Sequence, residues 1–431
     1  MPPRKNKGGL LARVNFPLYS VQMLTNRHIL VGGGGGSAKT GVANGFEIFE
    51  LSHDGYQFIA EEVTRHETGP SVVMNCATFS DKKRSWIAAG QESHCQLYNV
   101  HSKIITVENG EIPKKSANFN SGLRQRKQSE KSDEQSNNHE RIEEVKDNNS
   151  NFKSKRLQLI IKPMDSIQTD FGQPEPLQRI VRLCPKGELM ATGGTDGRIR
   201  LWKFPELIKF HDLEAHTKEI DDIDFNAEGN LLVSIAKDGK AFVWDIKSEM
   251  KKRELTWNVP GNMKYLYKRC RFRDPDEKVP KTQLLTLSNA TVGKNPSFLQ
   301  LWNVDAGVIM KSVPFQETLS ALAVSDNGRL VAVGTMFSGS VDMFIAFSLQ
   351  RVLHIPGAHS MFVTGLEFLP TKNDGPTITS NAEAAVVSIS VDNRICIHSL
   401  PYRYTIPIWV VIVLIILSIG CAFIFCSYMG L

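Results

Sequence analysis

Two stretches, Thr195-Asp-Gly-Arg-Ile-Arg-Leu-Trp202 and Lys237-Asp-Gly-Lys-Ala-Phe-Val-Trp244, decide the fold. They match each other at an offset of 42 residues, which falls within the ~40–45-residue spacing of WD-type propeller blades. Each stretch is a tight Asp-Gly turn that leads into an alternating strand ending in tryptophan. The repeat therefore predicts an all-β propeller of the WD type.

Weaker copies extend the repeat along the chain. Ser297-Phe-Leu-Gln-Leu-Trp-Asn303 ends a strand at Trp302, Val391-Asp-Asn-Arg-Ile-Cys-Ile-His398 carries His398 in place of tryptophan, and His94-Cys-Gln-Leu-Tyr-Asn99 offers Tyr98. A strand, a glycine turn and a second strand recur from Ile180, Ile223 and Leu322. Seven blades are predicted, at roughly 16–51, 56–100, 178–207, 217–248, 265–304, 317–349 and 359–400. Seven blades close a propeller, and Val14 to Leu24 is expected to supply a strand that completes the last one.

His216 and His359 stand just before predicted blade strands and invite a catalytic or metal-binding reading. In WD repeats, however, a histidine, an aspartate such as Asp196 or Asp238, and the tryptophan form a hydrogen-bond network inside the blade. We therefore interpret both histidines as structural, and the tryptophans as core residues.

Composition sets the broad class. The 431 residues are 41% hydrophobic, 22% charged and 8% aromatic, which suffices for an ordinary core and excludes wholesale disorder. The net charge of +6 is small for this length. A dedicated nucleic-acid binder usually concentrates more positive charge on one face, but the net charge alone decides nothing. Seven cysteines without a CxxC pair predict neither a disulfide framework nor a zinc site. We expect them to be reduced and buried, and the N-terminus lacks the apolar run of a signal peptide.

A membrane span is predicted at the other end of the chain. Residues 406–426 contain no charged side chain, and ~20 apolar residues cross a ~30 Å hydrocarbon core. Tyr402, Tyr404, Trp409 and Tyr428 flank the run as interfacial aromatics do. We expect a tail-anchored, single-pass protein, with residues 1–400 forming a cytosolic propeller and residues 427–431 a short lumenal tail.

A polar segment interrupts the repeats. Residues 114–156 hold 11 basic and 7 acidic residues with few apolar ones, so they cannot bury enough surface to offset the entropy of ordering. We predict a disordered insertion, whose basic residues either contact RNA or lipid headgroups or remain solvated.

The most unusual segment is Val31-Gly-Gly-Gly-Gly-Gly-Ser-Ala-Lys-Thr-Gly-Val-Ala-Asn-Gly45. Five consecutive glycines indicate positive φ or close backbone approach. The segment misses the GxxxxGK[ST] phosphate loop, with Ala38 where glycine belongs, and a strand-like Phe46 to Leu51 follows where a helix would have to hold the anion. We predict a long hairpin loop of the first blade instead, whose carbonyls could converge on a cation such as K⁺.

These features together resemble a known family. A seven-bladed WD-type propeller, a glycine-rich loop followed by Gly-Val-Ala-Asn in blade one, and a single C-terminal anchor are similar to the endoplasmic-reticulum guanine nucleotide exchange factors that start COPII coat assembly, the prolactin regulatory element-binding protein family. The likeness covers nearly the whole chain outside residues 114–156. It implies exchange on a Sar-type small GTPase at the endoplasmic-reticulum membrane, in ER-to-Golgi transport.

The resemblance also implies site residues. The family's loop binds K⁺ through backbone carbonyls and an asparagine, so the ion site would be shaped by Gly32, Gly33, Gly34, Gly35, Gly36, Gly41 and Asn44. Val42 would be the apolar tip that meets the GTPase, and Val42 with Asn44 would carry the exchange activity. The family's chain can end in a longer lumenal domain, whereas this one stops five residues past the predicted span.

The implied mechanism needs no catalytic acid or base, so we expect an exchange factor rather than an enzyme. A K⁺-stiffened loop would wedge into the switch region and disturb the Mg²⁺ and phosphate contacts of GDP. Two alternatives stay open. One is a membrane-tethered scaffold without exchange activity. The other is a DNA-binding regulator, against which the membrane span and the lack of a recognition helix, zinc finger or basic stripe count.

Overall fold

A computed structural model describes residues 9–36, 41–81, 84–107, 154–259, 261, 263–274, 282–292, 295–371, 378–379, 382–402 and 408–430. Within these ranges the chain forms strands and one helix. The first strands are β1 (Gly9–Arg13), β2 (Leu18–Met23), β3 (His28–Gly33), β4 (Gly45–His53), β5 (Phe58–Glu67), β6 (Asn75–Ser80), β7 (Ser85–Gln91), β8 (His94–Val107) and β9 (Ser154–Gln168).

The strands continue through the second half of the chain. They are β10 (Gln178–Leu183), β11 (Leu189–Gly194), β12 (Arg198–Lys203), β13 (Ile208–Glu214), β14 (Ile220–Phe225), β15 (Leu231–Ala236), β16 (Ala241–Asp245), β17 (Met250–Glu254), β18 (Tyr265–Arg273), β19 (Gln283–Ala290), β20 (Ser297–Asn303) and β21 (Val308–Phe315). The last are β22 (Leu319–Val324), β23 (Leu330–Thr335), β24 (Val341–Ile345), β25 (Gln350–Ile355), β26 (Val363–Phe368), β27 (Ala382–Ser390) and β28 (Arg394–Pro401), followed by helix α1 (Ile408–Met429).

The strands form seven four-stranded antiparallel sheets, which confirms the predicted seven-bladed propeller. Six blades are consecutive quartets from β2–β5 to β22–β25, and the seventh has the order β1-β28-β27-β26. The predicted blade boundaries are wrong at the outer strands. β5, for example, was assigned to the second blade but pairs with β4 of the first. Outer strands are exposed and largely polar, as in β17, where all five residues are exposed and four are charged. They therefore lack the alternation that identifies a strand.

The strand that closes the ring is not the predicted one. β1 pairs with β28, Gly9 opposite Ile397 and Arg13 opposite Arg394. The predicted closing segment, Val14 to Leu24, instead contains β2, the innermost strand of the first blade. The physical reason is burial: Leu18 is fully buried, as an inner strand requires, whereas β1 is a short edge strand behind a basic N-terminus.

The histidine networks confirm the structural interpretation. His216 Nδ1 lies 3.0 Å from Asp238 Oδ2 and its Nε2 lies 2.9 Å from Ser234 Oγ. The same hydroxyl accepts a bond of 3.0 Å from Trp244 Nε1. Asp196 takes no part in such a network and pairs with Arg200 at 2.7 Å instead.

Apolar clusters fill the spaces between neighbouring blades. One cluster joins Ile199 and Leu201 of the third blade to Ile223 and Trp244 of the fourth. Five cysteines are buried in the propeller, as predicted, but Cys421 and Cys426 are exposed. Both lie on α1, in which no residue is buried by the part of the chain that the structure describes.

Residues 102–160 form a separate unit. The structure describes its two ends, 102–107 and 154–160, as parts of β8 and β9. The predicted disordered insertion therefore ends too late, because residues 154–156 belong to β9. An outer strand tolerates the charged residues that made this stretch read as a loop. The remainder of the prediction, residues 114–153, lies outside the described residues.

Helix α1 is long and apolar enough to cross a membrane. It includes most of the predicted span, although Ile406 and Pro407 lie outside the described residues. It also continues to Met429, so residues 427–429 are helical.

The topology gives the propeller two distinct faces. Antiparallel pairing puts every connection between the second and third strands of a blade, and every connection between blades, on one face. We call it the loop face because residues 34–36 and 41–44 lie there. The other connections lie on the opposite face. β28 is the third strand of its blade and ends at Pro401, so the chain leaves toward α1 from this second face, which we call the anchor face.

Candidate functional site

The glycine-rich segment joins β3 to β4. Gly32 and Gly33 are the last residues of β3, and the connection runs from Gly34 to Asn44. β4 follows at once, which confirms the predicted strand and removes the helix that a phosphate loop needs. Residues 37–40, which include Ala38 and Lys39 of the near-match, lie outside the described residues.

Close packing explains the glycines at the base of the loop. A Cβ on Gly33 would lie 1.9 Å from the Pro17 carbonyl oxygen, and a Cβ on Gly34 would lie 2.1 Å from Asn44 Oδ1. Gly34 also has a φ of 144°. No larger residue fits at either position, so the backbone approaches its neighbours as closely as the sequence predicted. Gly36 and Gly41 adopt positive φ. Gly35 has no side chain with which to bind an ion.

Asn44 organises the loop from inside. Its side chain is buried, and its Oδ1 accepts a hydrogen bond of 2.9 Å from the Gly36 amide. Its Nδ2 lies 3.2 Å from the carbonyl oxygen of Gly36 and 3.0 Å from those of Gly69 and Pro70. One side chain thus ties the two ends of the loop to the connection between β5 and β6.

Gly69 and Pro70 were missed in the sequence analysis. Their only signal was the Thr68-Gly-Pro70 turn, which marks a loop without indicating its neighbour. A further bond of 3.0 Å from the Thr68 amide to the Asn44 carbonyl oxygen fixes the same contact.

The donor set around Asn44 fits a large monovalent cation in its chemistry. Three neutral carbonyl oxygens converge on one point, which the positive end of the Asn44 amide fills in this structure. Carbonyl clusters of this kind suit K⁺, whereas divalent ions prefer carboxylates. Among the described residues, no group of three or more His, Cys, Asp or Glu could hold a metal ion. Of the predicted ion-site residues, only Gly36 and Asn44 contribute to the cluster with side-chain or carbonyl contacts, and Gly32 and Gly33 lie within β3.

Val42 lies beside this cluster. It is half-buried and packs against the apolar core between the first and last blades. Part of its side chain remains accessible on the loop face, while the buried part connects the loop to the core.

Aromatic packing supports β4 just below the loop. The rings of Phe46 and His66 stack with centroids 5.1 Å apart, and Tyr98 meets Phe46 edge-on at the same distance. Gln91 donates to the Tyr98 hydroxyl at 2.7 Å. Burial lowers the pKa of His66, which keeps this layer neutral. The loop therefore rests on a packed aromatic layer.

The fold and the site define the class first: this is a WD-repeat propeller that carries a glycine-rich loop on one face and leads to a membrane-type helix from the other. The WD domain, G-beta repeat family matches residues 177–203 and 208–245. The chain is 33% identical over 421 residues to guanine nucleotide-exchange factor SEC12 of Mus musculus, covering 95% of both chains, and 32% identical to that of Rattus norvegicus over the same shares. SEC12-like protein 2 of Arabidopsis thaliana is 25% identical over 228 residues, 52% of this chain and 51% of its own. The chain belongs to the SEC12 guanine nucleotide-exchange factor family.

Proposed function

We propose that this chain is a guanine nucleotide exchange factor that releases GDP from a Sar-type small GTPase at the endoplasmic-reticulum membrane and so starts COPII coat assembly. The observation that carries the proposal is the relationship to SEC12 over 95% of the chain. The loop that Asn44 holds on one face of the propeller supports the proposal, because it is an element with which the protein could press on the GTPase.

Exchange requires differential binding. A factor that binds the nucleotide-free GTPase more tightly than the GDP form lowers the barrier to GDP release. No bond is made or broken, so we class the chain as an exchange factor rather than an enzyme. Val42 would contact the switch region, and Asn44 would keep the loop from collapsing when it is pushed against the GTPase.

A bound K⁺ is part of this proposal. Gly36, Gly69 and Pro70 would hold it through their carbonyl oxygens, in place of the Asn44 amide nitrogen that they surround in this structure. The Asn44 side chain would turn its oxygen toward the ion, and the remaining loop glycines would shape the site. The ion would supply a positive charge that draws these carbonyls together. Asn44 holds the same groups through hydrogen bonds, so the loop retains part of its order without the ion.

The topology suggests how the chain stands at the membrane. α1 would anchor it as a single span, with the propeller in the cytosol and the C-terminal end in the lumen. The loop face would then point away from the bilayer, toward GTPase arriving from the cytosol.

GDP release tests the activity directly. Full-length protein in detergent is mixed with a Sar-type GTPase loaded with fluorescent GDP, in K⁺ and then in Na⁺ buffer. We expect strong acceleration that weakens in Na⁺. Equal acceleration in both buffers would remove K⁺ from the proposal, and no acceleration by folded protein would leave a membrane-tethered scaffold.

Variants of the loop test the residues. We expect Asn44→Ala and Val42→Asp each to slow exchange by at least about tenfold, because a mis-set recognition loop loses interactions made in the transition state. Asn295→Ala is the matched control. Asn295 bonds the Val292 carbonyl at 2.9 Å in the corresponding connection of another blade, so its loss should leave exchange unchanged.

A further inference from the structure

The innermost strand of each blade lines the central channel of the propeller. Most of these inner strands share an irregularity near the end of the channel that opens on the loop face. Six of them shift register by one residue where they pair with the second strand of their blade. The six bulged residues are Tyr19, Arg179, Asp221, Lys268, Ser320 and Thr364. A bulge re-aims a side chain, and bulges are frequent next to functional sites.

All six bulged residues line one cavity of about 220 Å³ at the mouth of the channel. We call this cavity the channel mouth. Arg269 lines it too, although it directly follows Lys268 and would point to the other side of a regular strand. The bulge at Lys268 thus brings two consecutive basic residues to the same cavity.

Positive charge exceeds negative charge in the channel mouth. Arg179, Lys268 and Arg269 face a single carboxylate, Asp221, in its lining. Asp221 Oδ1 lies 3.4 Å from Arg179 Nη2 and 3.9 Å from Lys268 Nζ, so one carboxylate serves two cations.

The neighbouring carboxylates form closer pairs with other cations. Burial raises the pKa of Asp222, and the positive charges of Arg182 and Arg269 oppose that rise, but its Oδ2 lies 2.6 Å from Arg271 Nη1. Glu219 lies 3.9 Å from Arg179 Nε but 2.6 Å from Lys237 Nζ, with which it forms the closer pair. Across the described ranges, Arg269 has no carboxylate within ion-pair distance, and its Nη1 donates instead to the Lys268 carbonyl oxygen at 3.1 Å. Burial and the positive charge of Arg269 lower the pKa of Lys268.

Apolar side chains surround these charges. Met74, Met336 and Phe362 line the channel mouth, and Met361 and Phe337 are 49% and 76% exposed on the same face. Exposed apolar side chains of this kind mark a surface that binds a partner. The positive charge at its centre favours a partner segment of negative charge.

We propose that the channel mouth binds an acidic segment of the GTPase, with one or more carboxylates entering between Arg179, Lys268 and Arg269. The inference rests on the proposed function, since it adds a second contact on the face that carries the glycine-rich loop. We favour the GTPase over lipid headgroups as the source of negative charge, because the chain leads to α1 from the opposite face of the propeller.

The test separates docking from the exchange step. Full-length protein in detergent carries Lys268→Gln, Arg269→Gln or both, and the exchange rate is measured against GTPase concentration. We expect the double variant to raise KM for the GTPase about tenfold with kcat unchanged, because charges that do not touch the nucleotide site act mainly on encounter and docking. The unaltered protein should lose affinity steeply between low and high salt, and the double variant less so.

Two further variants complete the design. Asp221→Asn removes the competing carboxylate and should lower KM. Lys247→Gln removes an exposed positive charge from the connection between β16 and β17 on the anchor face, and should change nothing. Thermal unfolding of each variant shows that it is folded.

The outcomes distinguish the two proposals. If the unaltered protein fails to accelerate GDP release, the proposed function fails, and titration with the nucleotide-free GTPase then tests the channel mouth through Kd alone. If exchange is present but the folded double variant matches the unaltered protein in KM, Kd and salt dependence, the acidic-segment site is wrong. Weakened binding to anionic vesicles, with binding to the GTPase unchanged, would also overturn it.

Discussion

At the scale of the residue, His398 replaces a tryptophan in the seventh blade. Ser388 Oγ lies 2.8 Å from His398 Nε2 and 2.8 Å from His359 Nε2, as a serine lies between tryptophan and histidine in the fourth blade. Burial lowers the pKa of His398 to about 4, from about 6.5 in an unfolded chain. The unfolded chain therefore binds a proton that the folded chain excludes.

This difference in protonation predicts an acid-sensitive blade. The contribution of His398 to stability is complete above pH 6.5, is lost as the pH falls from 6.5 to 4, and amounts to about 3 kcal/mol. His398→Gln keeps a hydrogen-bond donor but does not titrate, so its thermal unfolding should depend less on pH over this range. Unfolding curves of the two proteins that shift in parallel with pH would contradict the prediction.

A second prediction at this scale concerns Gly34. A Cβ there would lie 2.1 Å from Asn44 Oδ1, so Gly34→Ala should displace the amide that ties the loop together. We expect a loss of stability of about 1–3 kcal/mol and of most exchange activity, measured by thermal unfolding and GDP release.

Gly55→Ala is the matched control for Gly34→Ala. Gly55 also has positive φ, 97°, but a Cβ there meets no atom within 4 Å. It lies between β4 and β5 on the anchor face, so its substitution should cost about 1 kcal/mol of stability and leave exchange intact. Equal exchange by both variants would show that the packing of Asn44 against Gly34 is dispensable.

At the scale of the element, β1 closes the ring through the apolar packing of Leu11 and Ala12. Leu11 packs against the core cluster of the first and last blades, whereas Leu10 is 53% exposed. Leu11→Asp should therefore lower the free energy of unfolding by about 2–3 kcal/mol. Leu10→Asp should change it by no more than about 0.5 kcal/mol. Chemical denaturation of both variants measures these changes. Equal losses in the free energy of unfolding would mean that Leu11 does not hold β1 on the last blade.

At the scale of the whole molecule, we expect the propeller to carry the exchange activity and α1 to serve only as the membrane anchor. No residue of α1 is buried by the rest of the described chain. Replacing α1 with an unrelated apolar helix of equal length should therefore preserve membrane insertion and keep GDP release in proteoliposomes within about twofold. Loss of exchange by a folded, inserted variant would show that the helix sequence itself takes part.

The sequence alone determined the propeller, its seven blades and the apolar C-terminal helix. Each of these depends on signals between residues close in the chain: an Asp-Gly turn such as Asp196-Gly197 before a strand, a tryptophan at its end, or an unbroken apolar run. The sequence also singled out the glycine-rich loop, because five consecutive glycines are costly without a structural demand. Asn44 was indicated only by the resemblance to the family.

The tertiary structure alone decided which strand closes the ring, what braces the loop and which charges meet at the channel mouth. Each of these joins residues that are distant in the chain. Thr364 Oγ1 donates to the Leu18 carbonyl oxygen across 346 positions, at 2.8 Å, and Asn44 reaches Pro70 across 26. These contacts form only when the ring closes. The turns and strands that make them carry no local sequence signal of their partners, and for this physical reason the sequence could not predict them.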